Sequence, residues 1–409
     1  MKQIWLYRAP LIIPVLTPPI ENGAVLIKGN KVAAVGHYPH LKACVPLGTK
    51  VVDIEEGLIM PGLVNCHCHL ALSWMKDKIE RGTGFSTWLK RVIWLKTTLG
   101  NSMTKKQHFE ALLFGIKLLK EAGTVLVYDV INAPPLSSLE STFKDNGLFV
   151  HFFWEIIHPK ADFFTPDGML DGLGDLSNSW SLSAHSVYTC SRQALCAIKA
   201  FCKIRRRTFS IHIAESREEL EFVKTGKGPI AEILKERKRE VAKFFSPSNS
   251  PVQLLDELGL LDEKTMCVHC TFLDDRDMTI LATRGAWVCL CPESNLYISG
   301  SMPRVDKIFQ RVGRVCFGTD SLASNSNLSI LSQLRAVFKA YPSINPAILF
   351  EAATLGGAKA QGLDGFLGSI AKGTMARLLA LRYMPCKARE VFEFLCSEPI
   401  EERIEQIEL

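Results

Sequence analysis

The chain lacks any stretch of about 18 uncharged apolar residues, the length a helix needs to cross a bilayer, so no membrane span is expected. A signal-peptide core is also missing: Lys2 is followed by apolar residues, but Arg8, Pro10 and Pro14 interrupt them. Charge of one sign is scarce. Lys and Arg number 48 against 42 Asp and Glu, a net +6, well short of the clustered basic face that nucleic-acid binding demands. The runs Arg205-Arg206-Arg207 and Lys235–Arg239 fit solvated helix ends, the second broken by Glu236. Glycine (28) and proline (20) follow no repeat, which excludes fibrous and linker-rich classes. What remains is globular: 409 residues, 47% hydrophobic and 22% charged, enough for one large domain or two ordinary ones. Cysteine alone is plentiful, at 13. An odd count in so long a chain argues against a disulfide scaffold and for reduced, packed thiols in a cytoplasmic protein.

The N-terminal segment alternates like sheet. Ala24–Lys28 and Lys31–Val35 are joined by Gly29-Asn30, a two-residue hairpin signal, and Val51–Ile54 follows. Near the other end, Gly365–Ile370, a turn at Lys372-Gly373 and Leu378–Leu381 echo this pattern. Together they predict a small β-sandwich domain from both termini, residues 1–58 with 361–409.

Between 59 and 360 the pattern becomes strand, loop, helix, repeated. Eight β-type runs stand out: Leu63–Cys66, Val125–Val130, Leu148–Phe153, Ser181–Ala184, Phe209–Ile213, Met266–Val268, Trp287–Cys291 and Val315–Phe317. Helical patterns lie between most of them, at Lys106–Glu121, Arg192–Lys203, Glu218–Lys224, Asp274–Thr283, Ile330–Ala340 and Ala347–Ala360. The α/β class is clear, and this alternation points to a (β/α)8 TIM barrel. A doubly wound open sheet would carry a Gly-rich phosphate loop after its first strand. Here that strand runs into Asn65-Cys66-His67-Cys68-His69 instead.

A barrel gathers its reactive groups at the C-terminal ends of its strands. Strand one ends in His67 and His69, and strand four in His185. Strand five ends in His212, with Glu215 three residues on; strand six ends in His269 and strand eight in Asp320. Such convergence of buried polar groups is costly unless they are paired or liganded, and a divalent metal is the simplest ligand. Residues two apart on a strand face the same side, so His67 and His69 can both face the axis. A nitrogen of His212 and an oxygen of Asp320 complete a site for Zn²⁺ or Fe²⁺ with one position left for water. His-x-His alone is a weak signal that chance often supplies. Its weight comes from Pro61-Gly62 and an apolar strand ahead of it, and from the polar residues at later strand ends.

Cys267-Val268-His269-Cys270 has zinc-ribbon or redox spacing, but no second such pair follows, and Thr271 excludes haem attachment. Thiols three apart on a strand face opposite sides. Cys66, Cys68, Cys267 and Cys270 are therefore expected to be packing residues, as are Cys289 and Cys291.

As a set these stretches resemble the amidohydrolase superfamily, in its mononuclear deaminase and chlorohydrolase-like branch. The matching residues are Pro61 to Leu70, Ser183 to Ser191, His212-Ile213-Ala214-Glu215, Val268-His269-Cys270 and Gly318 to Asn325. The resemblance implies His67, His69, His212 and Asp320 as ligands of one divalent ion, zinc before iron. It implies Glu215 as the proton shuttle, Asp320 also as base, and His269 as the holder of the water or developing oxyanion. His185, Glu215, Ser321 and Trp88 become substrate contacts. Ser183-Ala184-His185 offers no lysine for the carbamylated bridge of binuclear members. Residues 69–73 and 78–88, with Cys291-Pro292-Glu293-Ser294-Asn295, are similar to the aminodeoxyfutalosine deaminases of the alternative menaquinone route. Three positions depart from that pattern: Ala71 where Glu is usual, Glu293 where Arg is usual, and Arg377 where Asp is usual.

The expected reaction is hydrolytic deamination of a 6-aminopurine in a small nucleoside-type substrate. S-adenosylhomocysteine, methylthioadenosine or guanine deamination, triazine dechlorination, cyclic amide hydrolysis and a dead scaffold are the alternatives. The His-x-Glu and Pro-Cys-x-x-Cys pattern of polynucleotide deaminases is missing. Trp74, Phe85, Trp88 and Trp94 lie in the stretch after strand one, expected as a long loop. Most of them would pack that loop or a homodimer interface, with one ring on the purine and Glu80 or Arg81 towards the ribose.

Overall fold

The computed structural model describes residues 3–132, 137–157, 179–384 and 386–407. Ile4–Ile12 is the hub of a seven-stranded mixed sheet. It pairs antiparallel with Ile20–Lys28 and parallel with both Lys50–Asp53 and Leu58–Pro61. Ile20–Lys28 turns through Gly29, at φ 63°, into Lys31–His37, with Lys28 opposite Lys31. Leu378–Leu381 adds antiparallel to Leu58–Pro61, and Ile404–Gln406 adds beyond it. Both ends of the chain thus supply the sheet. Tyr7, Ile12, Val25, Ile27, Ile59 and Leu378 share its core.

Gly365–Ile370, expected as strand, is a series of turns instead. Gly368 at φ 87° breaks the extended run, and a Cβ there would lie 2.8 Å from Leu355 Cα. Ile370 is nonetheless buried in the core, held by its backbone N–H to the Pro14 carbonyl at 3.1 Å.

The second sheet has eight strands, ordered as in the sequence: Leu63–Cys68, Thr124–Ile131, Phe149–Ile156, Trp180–Ala184, Phe209–Ile213, Thr265–His269, Trp287–Leu290 and Val315–Phe317. From the third strand to the eighth, neighbours are parallel. Every residue of strands four to eight is buried, which is why they read as unbroken apolar runs. The ring closes between strands one and eight, where the N–H groups of Thr319 and Asp320 each donate to the His67 carbonyl at 3.0 Å.

Helices Arg192–Ile204, Arg217–Thr225, Asp275–Arg284 and Ile330–Ala340 begin on Ser191, Ser216, Asp274 and Ser329. Each of these side chains accepts a backbone N–H of the first turn, satisfying an otherwise orphan donor. The segment expected as a loop after strand one instead holds helix Phe85–Leu95, whose Phe85, Val92 and Leu95 are buried. Its start is hidden in sequence because Gly84, at φ 83°, provides no side-chain cap. Pro229–Glu236 and Pro292–Ser299 are also helical, each opening on a proline.

Contacts divide the chain into two compact units. One comprises Met1–Asn65, Leu118–Leu126 and Ser329–Leu409; the other comprises Cys66–Lys117 and Val127–Leu328. The first contains helix Ile330–Ala340 packed on Val391–Ser397. Among the described residues no helix is long and apolar enough to cross a membrane.

Candidate metal centre and active-site cavity

His67, His69 and His212 bring ligand atoms together within 4.8 Å. The His212 Nε2 lies 3.2 Å from His67 Nε2 and 3.3 Å from His69 Nε2. Ligands at ~2.0–2.1 Å from a tetrahedral Zn²⁺ stand about 3.3 Å apart, so this spacing fits a shared ion. Three imidazole nitrogens facing one another have no proton arrangement that satisfies them all. Tautomer agrees with this, because His212 Nδ1 donates to the His185 carbonyl at 2.7 Å, leaving Nε2 with its lone pair. Burial lowers the pKa of both His67 and His69, which favours the neutral, ligating form.

Asp320 supplies the oxygen. Its Oδ1 is 3.8 Å from the Nε2 atoms of both His67 and His69. Oδ2 is occupied, accepting from Ser294 Oγ at 2.8 Å and Ser324 Oγ at 2.6 Å. Burial alone would raise this carboxyl, but His69, His269 and the two serine hydroxyls hold it below its ordinary range.

Glu215 and His269 stand beside this cluster, with Glu215 Oε1 3.6 Å from His269 Nε2. Burial, reinforced by Asp320, Glu219 and Glu218, pushes the Glu215 carboxyl well above the usual carboxylate range. Burial brings His269 down to about 3, keeping the ring neutral. Its Nδ1 donates to Asn295 Oδ1 at 3.0 Å, so Nε2 presents a lone pair towards Glu215.

Three of these strand ends turn through the left-handed region at non-glycine residues: Ala214 at φ 50°, His269 at 72° and Asp320 at 57°. Such backbone costs on the order of 1–3 kcal/mol per residue and collects at functional sites. Here it turns the chain at His269, the last residue of strand six, and just beyond strands five and eight, at Ala214 and Asp320. The same turn alters the cysteine geometry: Cys270, at φ 51°, folds back so that its thiol donates to the Cys267 carbonyl at 3.6 Å. The two thiols therefore do not face opposite sides, though both are buried and reduced as expected.

A cavity of about 280 Å³ opens onto the cluster, lined by His69, His185, His212, Glu215, His269 and Asp320. Ser321 and Trp88 line it too, and Trp88 Nε1 is anchored to the Ala323 carbonyl at 2.9 Å. The His185 ring meets the hydroxyls of Ser186 and Thr189 at 3.1 and 3.0 Å through Nδ1. Of the other aromatics, Phe85 lines the cavity, Trp74 packs under the helix, and Trp94 is exposed with Arg91 over its ring. Glu80 and Arg81 are not part of the lining; Arg81 sits over Tyr297.

Glu155, on strand three, escaped the sequence reasoning because its strand was expected to end at Phe153. It is buried, accepts from Asn132 Nδ2 at 2.7 Å, and has Oε1 3.7 Å from His212 Nδ1. Glu155, His185 and His212 form a second group with metal-ligand spacing. The His212 Nδ1 proton is committed to the His185 carbonyl, so that nitrogen has no lone pair for a second ion. Glu155 thus backs the imidazole electrostatically. Tyr188 was likewise missed and lines the cavity.

The family model for the amidohydrolase family matches residues 58–401. The chain belongs to the amidohydrolase family. Among similar proteins, a 5-methylthioadenosine/S-adenosylhomocysteine deaminase of Syntrophobacter fumaroxidans is 27% identical over 393 residues, covering 89% of this chain and 80% of the relative. A 5'-deoxyadenosine deaminase of Methanothermobacter thermautotrophicus is 28% identical over 382 residues, covering 88% and 81%. The fold is shared with Helicobacter pylori aminofutalosine deaminase solved with methylthio-coformycin, at a TM-score of 0.83 and 22% identity, covering 98% of this chain and all (100%) of that one.

Proposed function

We propose that this amidohydrolase removes the 6-amino group of a purine nucleoside-type substrate, releasing ammonia and the 6-oxo product, with aminodeoxyfutalosine of menaquinone biosynthesis as that substrate. The observation that carries this reading is a largely buried carboxyl, Glu215, its pKa pushed up by burial, 3.6 Å from His269 and beside three imidazoles and Asp320. The names of the similar deaminases support the reaction class, and the aminofutalosine enzyme's fold supports the narrower substrate.

In this reading residues 59–360 carry the chemistry and 1–58 with 361–409 form an accessory domain. His67, His69, His212 and Asp320 would hold one divalent ion, zinc or iron, which supplies a water activated towards a pKa of about 7. The chain's own groups do the rest. His269 Nε2 accepts a hydrogen bond from the attacking water and fixes its approach to C6. Asp320 takes a proton from that water while Glu215 gives its own to N1, so charge never accumulates on the ring. A proton then passes to the leaving amine, ammonia departs, and the 6-hydroxyl proton restores Glu215. His185, Ser321 and Trp88 hold the nucleoside against this constellation.

The test is the absorbance change from adenine to hypoxanthine on aminodeoxyfutalosine, beside adenosine, methylthioadenosine and S-adenosylhomocysteine. Fastest kcat/KM on the first is expected. Preference for another member corrects the substrate, and no ammonia from any member sinks the reading.

A further inference from the structure

The cavity lining is not all polar. One wall is the apolar face of helix Phe85–Leu95, contributing Leu89, Val92 and Ile93. The facing wall is Ile230, Ile233 and Leu234 of helix Pro229–Glu236. At the end of that second wall stand two guanidinium groups, Arg237 and Arg239, both exposed and both part of the lining.

Their placement is built by the backbone. Lys238 adopts φ 56°, and the N–H groups of Lys238 and Arg239 return to the carbonyls of Lys235 and Leu234, each at 2.8 Å. This closes the helix with a left-handed residue that is not glycine and fixes where its two arginine neighbours leave the chain. The acidic neighbours are engaged elsewhere: Glu236 with Lys90 at 2.7 Å and Glu240 with Lys243 at 3.0 Å. Among the described residues neither arginine has a carboxylate partner. The remaining cation of the lining, Lys96, is tied to Asn132 at 3.3 Å, and Asn132 in turn to Glu155 at 2.7 Å.

An apolar slot ending in two uncommitted guanidiniums suits an apolar group that terminates in an anion. Guanidinium meets carboxylate with paired, directional hydrogen bonds that a neutral end cannot match. We propose that Arg237 and Arg239 are specificity residues, selecting nucleosides whose 5′ substituent is an apolar body ending in a carboxylate. This rests on the deaminase reading and adds residues and chemistry to it.

The experiment uses the holoenzyme and a matched pair of probes, 5′-S-(3-carboxyphenyl)-5′-thioadenosine and its carboxamide, followed by ammonia release. Wild type is expected to favour the acid by about tenfold or more in kcat/KM, as a charged hydrogen bond supplies. The double variant Arg237→Ala/Arg239→Ala is expected to bring that ratio near one, acting through KM, and Arg→Lys at both positions to recover part of it. Raising ionic strength should erode the wild-type preference without any substitution, since the guanidiniums are exposed. Equal kcat/KM for acid and amide in wild type overturns the proposal, as does an undiminished ratio in the double variant. Ammonia from other nucleosides but from neither probe also overturns the proposal, whereas no ammonia from any nucleoside removes the deaminase reading itself.

Discussion

Glu215 and Glu219 are both buried carboxyls, four residues apart, yet the structure gives them different work. Glu219 accepts the backbone N–H of Glu215 at 2.9 Å and so shapes the turn. Glu215 faces His269 and the cavity. Glu215→Gln should therefore keep its metal and lose about 10²–10⁴-fold in kcat, the usual worth of a positioned proton donor. His67→Ala, in contrast, should lose the metal. Metal analysis of both variants beside their rates decides the matter, and equal metal loss in the two would remove Glu215 from proton transfer. Asp320 invites a finer test, because two serines hold the oxygen that faces away from the histidines. Ser294→Ala and Ser324→Ala should each weaken metal binding about tenfold, typical of partners that orient a ligand. Competition against a chelator of known affinity measures it; unchanged affinity in both would show that the hydroxyls do not set the carboxylate.

At the scale of elements, the seam between strands one and eight is where fold and site meet. Gly318 follows strand eight, and a Cβ there would stand 2.6 Å from His67 Cβ and 2.9 Å from its backbone N. Gly318→Ala must push the strands apart. The expected cost is about 1–3 kcal/mol of stability, as for overpacked sites, together with metal affinity, because His67 moves with the seam. Urea unfolding of the chelated protein, paired with metal titration, separates the two effects, and wild-type values in both would show the seam to be compliant. The same seam shows what the sequence could convey. Buried parallel strands are near-continuous apolar runs, so Phe209–Ile213 and Val315–Phe317 were legible to the residue. Several helices were also plain, as at Arg192–Ile204 and Ile330–Ala340. Helix Phe85–Leu95 was not, because it starts on an uncapped glycine. The histidines, Glu215 and Asp320 could be gathered by counting strand ends. Glu155 could not, since it lies beyond the expected end of its strand. Nor could the left-handed turns at Ala214, His269 and Asp320, which ordinary side chains rarely adopt and only the surrounding structure enforces.

For the whole molecule, the cost of burying so many titratable groups should appear as a narrow pH range of stability. Burial raises Asp129 to about 7 and Glu219 to about 8, each from an ordinary value near 4. A carboxyl whose folded pKa is raised contributes stability that is fully present below its unfolded pKa and is lost as pH rises through the folded one. Burial moves His151 to about 3 and His185 to about 4, and for a lowered histidine the sign reverses: its contribution is present above the unfolded value of 6.5 and lost as pH falls. Below 6.5 the two sets oppose each other. Above it the histidines are neutral in both states while these two carboxyls still act, so their contribution to stability should fall from pH 6.5 to about 8. The slope is up to ~1.4 kcal/mol per pH unit for each proton still held only by the folded chain. Glu219→Gln keeps an oxygen to accept the Glu215 N–H but has no proton to lose. It should flatten the decline between pH 7 and 8, where Asp129 is completing its ionisation. Unfolding free energies from urea titrations of the metal-loaded protein at half-unit steps would show this. A variant with the wild-type slope would mean that Glu219 is ionised in the folded chain, and its buried carboxylate would then need a cationic partner that its hydrogen bonds to the turn at Glu215 do not provide.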